Sequence, residues 1–472
     1  RKINVSGKDQ KTTYTYDKNN NLLAATDWLG NTYTNKYDAI NRLISKTDPY
    51  GKLMESYVYN DNHAQISSCD ALGNVTLFTY DKNNRLISTT DPEGNVTYQT
   101  YDKVGNIASK KDGEGNTTSY EYDALNRLIK VENAKGENTS YTYDMNGNML
   151  TQTDGKGNTI TFTYNAANQI AKKVYPGSSE ETDRTVSYTY YADGKVMTMI
   201  DRNGNTTEYA YDIHGNLLSK TVGSTVITYT YDANGNMLTM TDITGTTSRT
   251  YDELGRVLTK DVPNVGTITF AYDIVEDVEP GFIIERSIDP KGNITDKVYD
   301  KAGRLSKVIV GNEETTYTYY DNGNRESITY NDGTREEYTY FANNQINTLV
   351  NKKADGSTMD YYSYTYDKAG NQLTKYEVIN GVKKGTTTYT YDELNRISSV
   401  TEPNGRVTTY TYDKVGNRET ETIVITAADT NDIITTKNTY TYNSQNWLTE
   451  ITTTVNNIVT EVTIYTYDNN GN

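Results

Sequence analysis

The sequence predicts an all-β fold: a tandem array of β-hairpins whose strands add up to one long sheet ribbon. Three observations predict it. The pattern Tyr-x-Tyr-Asp-x-x-Gly-Asn-hydrophobic, followed by Thr-Asp-x-x-Gly-Asn, recurs from Tyr14 to Asn472 at a spacing of about 21 residues. Within each copy aromatic residues alternate with Thr, the period of a strand. No stretch shows sustained helical periodicity with capping residues.

The stretch Ser140–Asn158 shows the unit most clearly. Tyr141-Thr142-Tyr143 places two rings on one face of a strand and the Thr on the other. Asp144-Met145-Asn146-Gly147 reads as a hairpin turn. Gly and Asn are the residues that most readily adopt positive φ, as a tight turn requires. Met149-Leu150 opens the second strand, and Asp154 to Gly157 reads as a type I turn into the next copy. The same roles fall on Tyr14, Tyr16, Gly105, Tyr211, Gly215, Tyr389, Tyr391, Tyr412 and Gly416. Four positions after the anchoring Tyr stands Gly or Asn in nearly every copy. His63 and Glu276 are the exceptions, and both suggest a disturbed register.

The whole of residues 1–472 reads as one continuous array, regular over 1–272 and longer and irregular over 273–472. The long units, Ile274–Ser287, Asn347–Ser363, Tyr376–Thr388 and Glu419–Asn438, imply inserted loops or longer hairpins. An array grows by adding units, so the length does not imply two or three globular domains. The chain opens on Arg1 and stops inside a repeat at Gly471-Asn472, which reads as a piece of a longer protein.

Composition narrows the function. The formal net charge of -16 argues against nucleic acid, whose phosphates need basic patches. Such an acidic chain could be disordered, but 45 Tyr beside Thr and Val argue for strands. No apolar run approaches the length of a membrane span. Cys69 is the single cysteine, so no disulfide framework or thiol cluster is expected.

About 42 strands at ~4.8 Å would make a ribbon ~200 Å long and only ~20 Å tall. A twisted sheet that wide must coil, split or close. A β-propeller is the competing fold, because two copies match the length of one blade. The alternation of Asn41-Arg42, Asn84-Arg85 and Asn126-Arg127 with Gly105-Asn106 and Gly147-Asn148 gives that doubling slight support.

Candidates for chemistry are few. His63 and His214 both stand at turns, and neither Ser nor Cys69 lies in a nucleophile motif. Neither a catalytic residue, a metal ligand nor a cofactor is assigned. Asp27, Asp48, Asp70, Asp91 and Asp112 could align along one rim and bind Ca²⁺, but Asp at a turn start already serves its own backbone. The Tyr ladder reads as packing between strands, with stacking on sugars as the second reading.

The repeat Tyr-Asp-x-x-Gly-Asn/Arg-Leu with Thr-Asp-x-x-Gly-Asn resembles the YD repeat of the bacterial RHS family. That family includes polymorphic toxins, shell components of insecticidal toxin complexes, wall-associated proteins and, more distantly, teneurins. The resemblance covers essentially the whole chain. It implies a strand ribbon spiralling into a hollow shell or part of one, non-enzymatic, in a secreted or cell-surface bacterial protein. It further implies a polypeptide partner, such as a C-terminal toxin domain of the same chain, enclosed or presented by the shell. In surface relatives the implied role is adhesion, with glycans or a partner protein bound through rim loops. The family's core-closing segment with autoproteolytic aspartates is not found before Asn472, so no residue takes that role.

Overall fold

The structure, a computed structural model, describes residues 2–5, 8–426 and 432–472. Among them are 43 strands and a single three-residue 3₁₀ turn, Thr182–Arg184. Lys2–Val5 and Lys8–Lys11 pair with each other in a sheet of two. The other 41 strands form one long antiparallel sheet that is not closed into a barrel. Strands follow one another in chain order, as Asn138–Tyr143 pairs with Met149–Thr153, and that strand with Thr159–Tyr164. A single sheet has no blades, so the propeller alternative fails.

The chain divides into two compact units. One comprises residues 1–96, 227–363 and 377–383, the other residues 97–226, 364–376 and 384–472. Neither has an apolar core in the usual sense. Among the described residues only Ala64, Ile284, Val298 and Ile328 are buried apolar residues, against nine buried polar ones that include Asn31, Asp48, Thr207 and Thr408. One layer of sheet has two wet faces, so hydrophobic burial cannot dominate as it does in a packed domain.

The ladder carries a bulge in hairpin after hairpin. Thr142 faces Thr151 but Tyr143 faces Met149, so one residue of the second strand is extra. The same step precedes Tyr16, Tyr37, Tyr59, Tyr122 and Tyr391. A bulge disrupts the local ladder. The phenol of the next copy's anchor tyrosine donates to the carbonyl at the bulge. Tyr143 donates to Leu128 (2.8 Å), Tyr164 to Met149 (2.7 Å), Tyr272 to Val257 (2.9 Å) and Tyr412 to Ile397 (2.8 Å). Asn35, two residues before Tyr37, gives its amide to Leu22 in the same way at 3.0 Å. On the opposite, more exposed face, paired hydroxyls meet across many of the hairpins, as Thr142 with Thr151 at 2.6 Å and Thr230 with Thr239 at 2.6 Å.

The long units take most of their extra residues as strand. Thr358–Tyr366, Val382–Tyr391 and Ile433–Tyr442 run to 9, 10 and 10 residues. The unit at Tyr376–Thr388, expected as an inserted loop or a longer hairpin, is a longer hairpin: two strands, Gln372–Ile379 and Val382–Tyr391, flank Asn380-Gly381 with φ of 51° and 73°. Those angles suit a two-residue hairpin turn. The Pro280-Gly281 and Asp355-Gly356 turns form as read. Part of the Glu419–Asn438 insertion, residues 427–431, lies outside the described residues.

The anchor phenol should therefore matter more than its partner two residues earlier. Tyr143→Phe is expected to cost about 1 kcal/mol locally and to raise amide exchange over residues 128–153. Tyr141→Phe should change exchange little, since Phe already fills that position at Phe78, Phe162 and Phe270.

Candidate functional site in the turn rims

The conspicuous residues of the repeat converge on its turns. Asp144 Oδ1 accepts the backbone N–H of Asn146 (2.9 Å) and Asn148 (2.8 Å), while Oδ2 accepts the Asn148 amide (2.8 Å). Gly147 closes the turn by donating to the Asp144 carbonyl at 3.2 Å, with φ of 90°. This is a type I turn followed by a left-handed residue, the usual three-residue hairpin loop. At the other end of the strands Asp154 does the same for Lys156, Asn158 and Gly157. The two turns, unlike by sequence, are one device used twice.

Asn replaces Asp in the same role at Asn133, Asn165 and Asn443, and where the first residue is neither, the acceptor moves two places on. Asn322 serves Asn324 after Tyr320, Asp355 serves Ser357 after Lys353, and Asn404 serves Arg406 after Glu402. Gly105, Gly157, Gly215 and Gly416 take positive φ at their turns. His63 does so too, at 64°, and donates its N–H to Asn60 at 3.1 Å. The disturbed register expected at His63 is thus corrected: a left-handed His closes an ordinary turn. Near Glu276 the ladder does slip, between Ala271 and Ile274. Tyr14 and Tyr16 are exposed, whereas Tyr141, Tyr143, Tyr211, Tyr389, Tyr391 and Tyr412 are half-buried.

Neighbouring turns are coupled sideways. In a Gly-Asn turn the Asn reaches the left-handed Asn of the next copy, as Asn148 to Asn168 (2.9 Å) and Asn106 to Asn126 (3.0 Å). Where Arg follows the left-handed residue, in the Asn-Arg turns and also in Gly255-Arg256, it instead holds its own Asp and lies over the next anchor ring. Arg127 sits 2.7 Å from Asp123 and 4.8 Å from the Tyr143 centroid; Arg256 over Tyr272 and Arg396 over Tyr412 repeat this at 4.4 and 4.5 Å. The alternation in the sequence therefore records two ways of joining hairpins.

Each unit also docks one row of turns on another far along the chain. In the first unit Asn31 donates to the Gly281 carbonyl (2.9 Å), the Ala342 N–H donates to Glu93 (2.7 Å), and Lys52 pairs with Asp321. In the second, the Lys368 N–H donates to Glu114 (2.7 Å), while Lys135 meets Asp392 (3.1 Å) and Lys156 meets Asp413 (2.7 Å). Arg202 lies between Tyr175 (4.6 Å) and Trp447 (4.9 Å) and donates to the Asn470 carbonyl. The early turns that take part close second strands, as Asp-x-x-Gly or its Asn133 equivalent, and most of their partners are turns that follow an anchor Tyr; Gly281, in Glu279-Pro280-Gly281, is the exception. Backbone touches backbone at two glycines: a Cβ on Gly113 would lie 1.9 Å from the Lys368 carbonyl oxygen, and one on Gly155 2.5 Å from that of Lys414.

The RHS repeat family model matches residues 59–96, 101–137, 122–159, 143–180 and 391–430, and the teneurin YD-shell model matches 179–274. Together they span just over half of the chain. The chain belongs to the RHS/YD-repeat family. Its fold is found in crystal structures of TcdB2-TccC3-TEV and TcdB2-TccC3-Cdc42, each with a TM-score of 0.66 and 15% identity, covering 98% and 97% of this chain. A TcdB2-TccC3 structure without its hypervariable C-terminal region follows at 0.53 and 14%, covering 94% of this chain. The chain spans 27% of the first two chains and 26% of the third. No curated protein matches it.

The RHS/YD turns leave their carboxylates little capacity for other chemistry. Asp70 spends both oxygens on Leu72 and Asn74, and Asp91 and Asp112 are likewise occupied by Asn95 and Asn116. Among the described residues no group of three or more His, Cys, Asp or Glu could hold a metal ion. His214 is exposed at its turn, and the half-buried Cys69 thiol points to the Asp70 carbonyl at 3.5 Å. The Asn148 amide and the turn N–H groups hold the Asp144 carboxyl below its ordinary value against a smaller opposing desolvation. At Asp392 burial pushes upward, but Arg396, the turn N–H groups and Lys135 together outweigh it and bring the carboxyl down to about 2.

Two outcomes follow. Gly155→Ala should cost about 1–3 kcal/mol by overpacking and expose amides near residue 414, far away in sequence, to exchange. Carboxylates depressed in the folded state stabilise it above their unfolded pKa of about 3.9, and that stability is lost as pH falls through the folded values. The melting temperature should hold near neutrality and fall between about pH 4 and pH 2; a midpoint unchanged across that window would contradict the turn assignment.

Proposed function

We propose that this RHS/YD ribbon is a structural, non-catalytic wall segment of a secreted or cell-surface bacterial protein. It encloses or presents another polypeptide, foremost a C-terminal effector of the same protein. The observation that carries this reading is the sheet itself: one layer, two wettable faces and scarcely a buried apolar side chain. Such a sheet has no core of its own to shape a catalytic cleft, and what it offers is extended surface. The TcdB2-TccC3 structures differ in a third component, TEV or Cdc42, which suits a wall indifferent to its cargo. No helix among the described residues is long and apolar enough to cross a membrane.

A second reading, adhesion to glycans, is favoured by one groove of about 570 Å³ in the second unit. Asn165, Gln169 and Asp193 line it beside Tyr188, Tyr190 and Tyr191. Amide and carboxylate groups next to aromatic rings suit a neutral sugar. A glycan array would favour this reading if specific binding is lost in Tyr191→Ala.

Containment is tested by limited proteolysis of the natural protein. The partner polypeptide should resist protease while the repeats are intact and become cleavable in step with their unfolding at low pH. Cleavage at the rate of the isolated partner, with the repeats still folded, would refute containment.

A further inference from the structure

The sequence contains seven Asn-Gly dipeptides, and six of them stand in one kind of turn. In Asn146-Gly147, Asn203-Gly204, Asn234-Gly235, Asn322-Gly323, Asn404-Gly405 and Asn470-Gly471 the Asn is the third turn residue and the Gly the fourth. Each of these glycines takes positive φ and donates its N–H to the carbonyl of the first turn residue, at 2.9 to 3.2 Å. The seventh, Asn380-Gly381, belongs to a two-residue turn in which Gly381 donates to the Met359 carbonyl, so its geometry is different. Asn-Gly is the dipeptide that most readily loses its side-chain amide, because a glycine carries no side chain to shield its nitrogen from the preceding Cγ.

Five of the six Asn side chains are held. Asn146 Nδ2 donates to Asn168 Oδ1 (3.1 Å) and Asn322 Nδ2 to Asn344 Oδ1 (2.9 Å), in each case the left-handed Asn of the next copy. Asn203 Nδ2 donates to Asp468 and Asn470 Nδ2 to Asp201, both at 2.9 Å. Asn404 Oδ1 accepts the Arg406 N–H at 2.9 Å. The Asn234 side chain makes no hydrogen bond among the described residues. The cause lies in the next copy, where the left-handed position filled elsewhere by Asn168 or Asn344 is Gly255, which has no side chain to accept with. Exposure does not separate the sites, since Asn146 is exposed like Asn234.

We infer that Asn234 is a site of spontaneous deamidation, singled out from identical dipeptides in the same turn by the missing acceptor at Gly255. The Gly235 nitrogen forms a bond to Asn234 Cγ, the Cγ–Nδ2 bond breaks, and the glycine N–H proton leaves with the amide nitrogen as ammonia. Water then opens the succinimide at either carbonyl, leaving aspartate or isoaspartate. A held side chain must give up its hydrogen bond before its Cγ can swing over the glycine nitrogen, and Asn234 has none to give up. The isoaspartyl form places an extra methylene between the N–H groups of Asn234 and Asn236, both accepted by Asp232 Oδ1 at 2.9 Å. Modification therefore adds a negative charge and loosens the turn between Thr225–Tyr231 and Met237–Asp242.

Peptide mapping by mass spectrometry, during incubation of the folded full chain at mildly alkaline pH, tests this. Asn234 should deamidate about fivefold faster than Asn146 or Asn322, the rate equivalent of one side-chain hydrogen bond of about 1 kcal/mol. Gly255→Asn creates the Asn-Arg pair that the chain already uses at Asn126-Arg127. It should slow Asn234 to the rate of Asn146 and leave Asn146 unchanged. Asn168→Gly should do the reverse and raise Asn146 to the rate of Asn234. In denaturant the three sites should react alike. Equal rates at Asn234 and Asn146 in the folded chain, a site whose rate ignores the substitution at its neighbour, or the same ranking in denaturant would each overturn the proposal.

Discussion

Everything in this structure hangs on how a turn satisfies its own backbone. A hairpin of six-residue strands has too few ladder hydrogen bonds to stand alone, and its turn leaves N–H groups pointing at nothing. The aspartate that follows the anchor tyrosine, or the one that ends the second strand, takes two of those N–H groups on one oxygen and a neighbouring Asn or Arg on the other. The carboxylate is thus first of all a backbone partner. Repeated at both ends of the strands, the same bond sets hairpin length and keeps the sheet in register.

Coupling between hairpins is layered on that turn. Anchor phenols repair the carbonyls left over at the bulges, Asn and Arg side chains join adjacent turns, and in each unit distant rows of turns meet edge to edge. An array with nearest-neighbour contacts alone can open anywhere along its length. Contacts between residues 249 to 283 apart tie separate stretches together, so local opening costs more than one hairpin. This arrangement gives stiffness without an apolar interior.

The hairpins, their turn residues and the all-β class were legible because they repeat with the periods of a strand and a turn. Less was legible where a contact crosses copies. The role of the anchor hydroxyl had a trace in 45 Tyr against 5 Phe, with no Phe at any anchor, but the bulge that needs it leaves no local mark. The alternation of Asn-Arg with Gly-Asn was visible and lent slight support to the propeller alternative, because a lateral bond to the next hairpin cannot be told from a repeat of twice the length. Rim docking left only Gly113 and Gly155, small residues in turns that elsewhere tolerate Ala71, Pro92 or Ala134. At Tyr376–Thr388 a loop and a longer hairpin could not be told apart, since the alternation is broken by Lys383-Lys384, yet in a sheet with two wet faces polar residues need not interrupt a strand.

The central claim is that turn and side-chain hydrogen bonds, rather than buried apolar surface, hold the ribbon together. The heat-capacity change of unfolding measures this directly, because apolar exposure raises it and polar exposure lowers it. Globular domains give about 12–15 cal/mol/K per residue. Differential scanning calorimetry of this chain should give less than about 10 cal/mol/K per residue, and a value within the globular range would contradict the account.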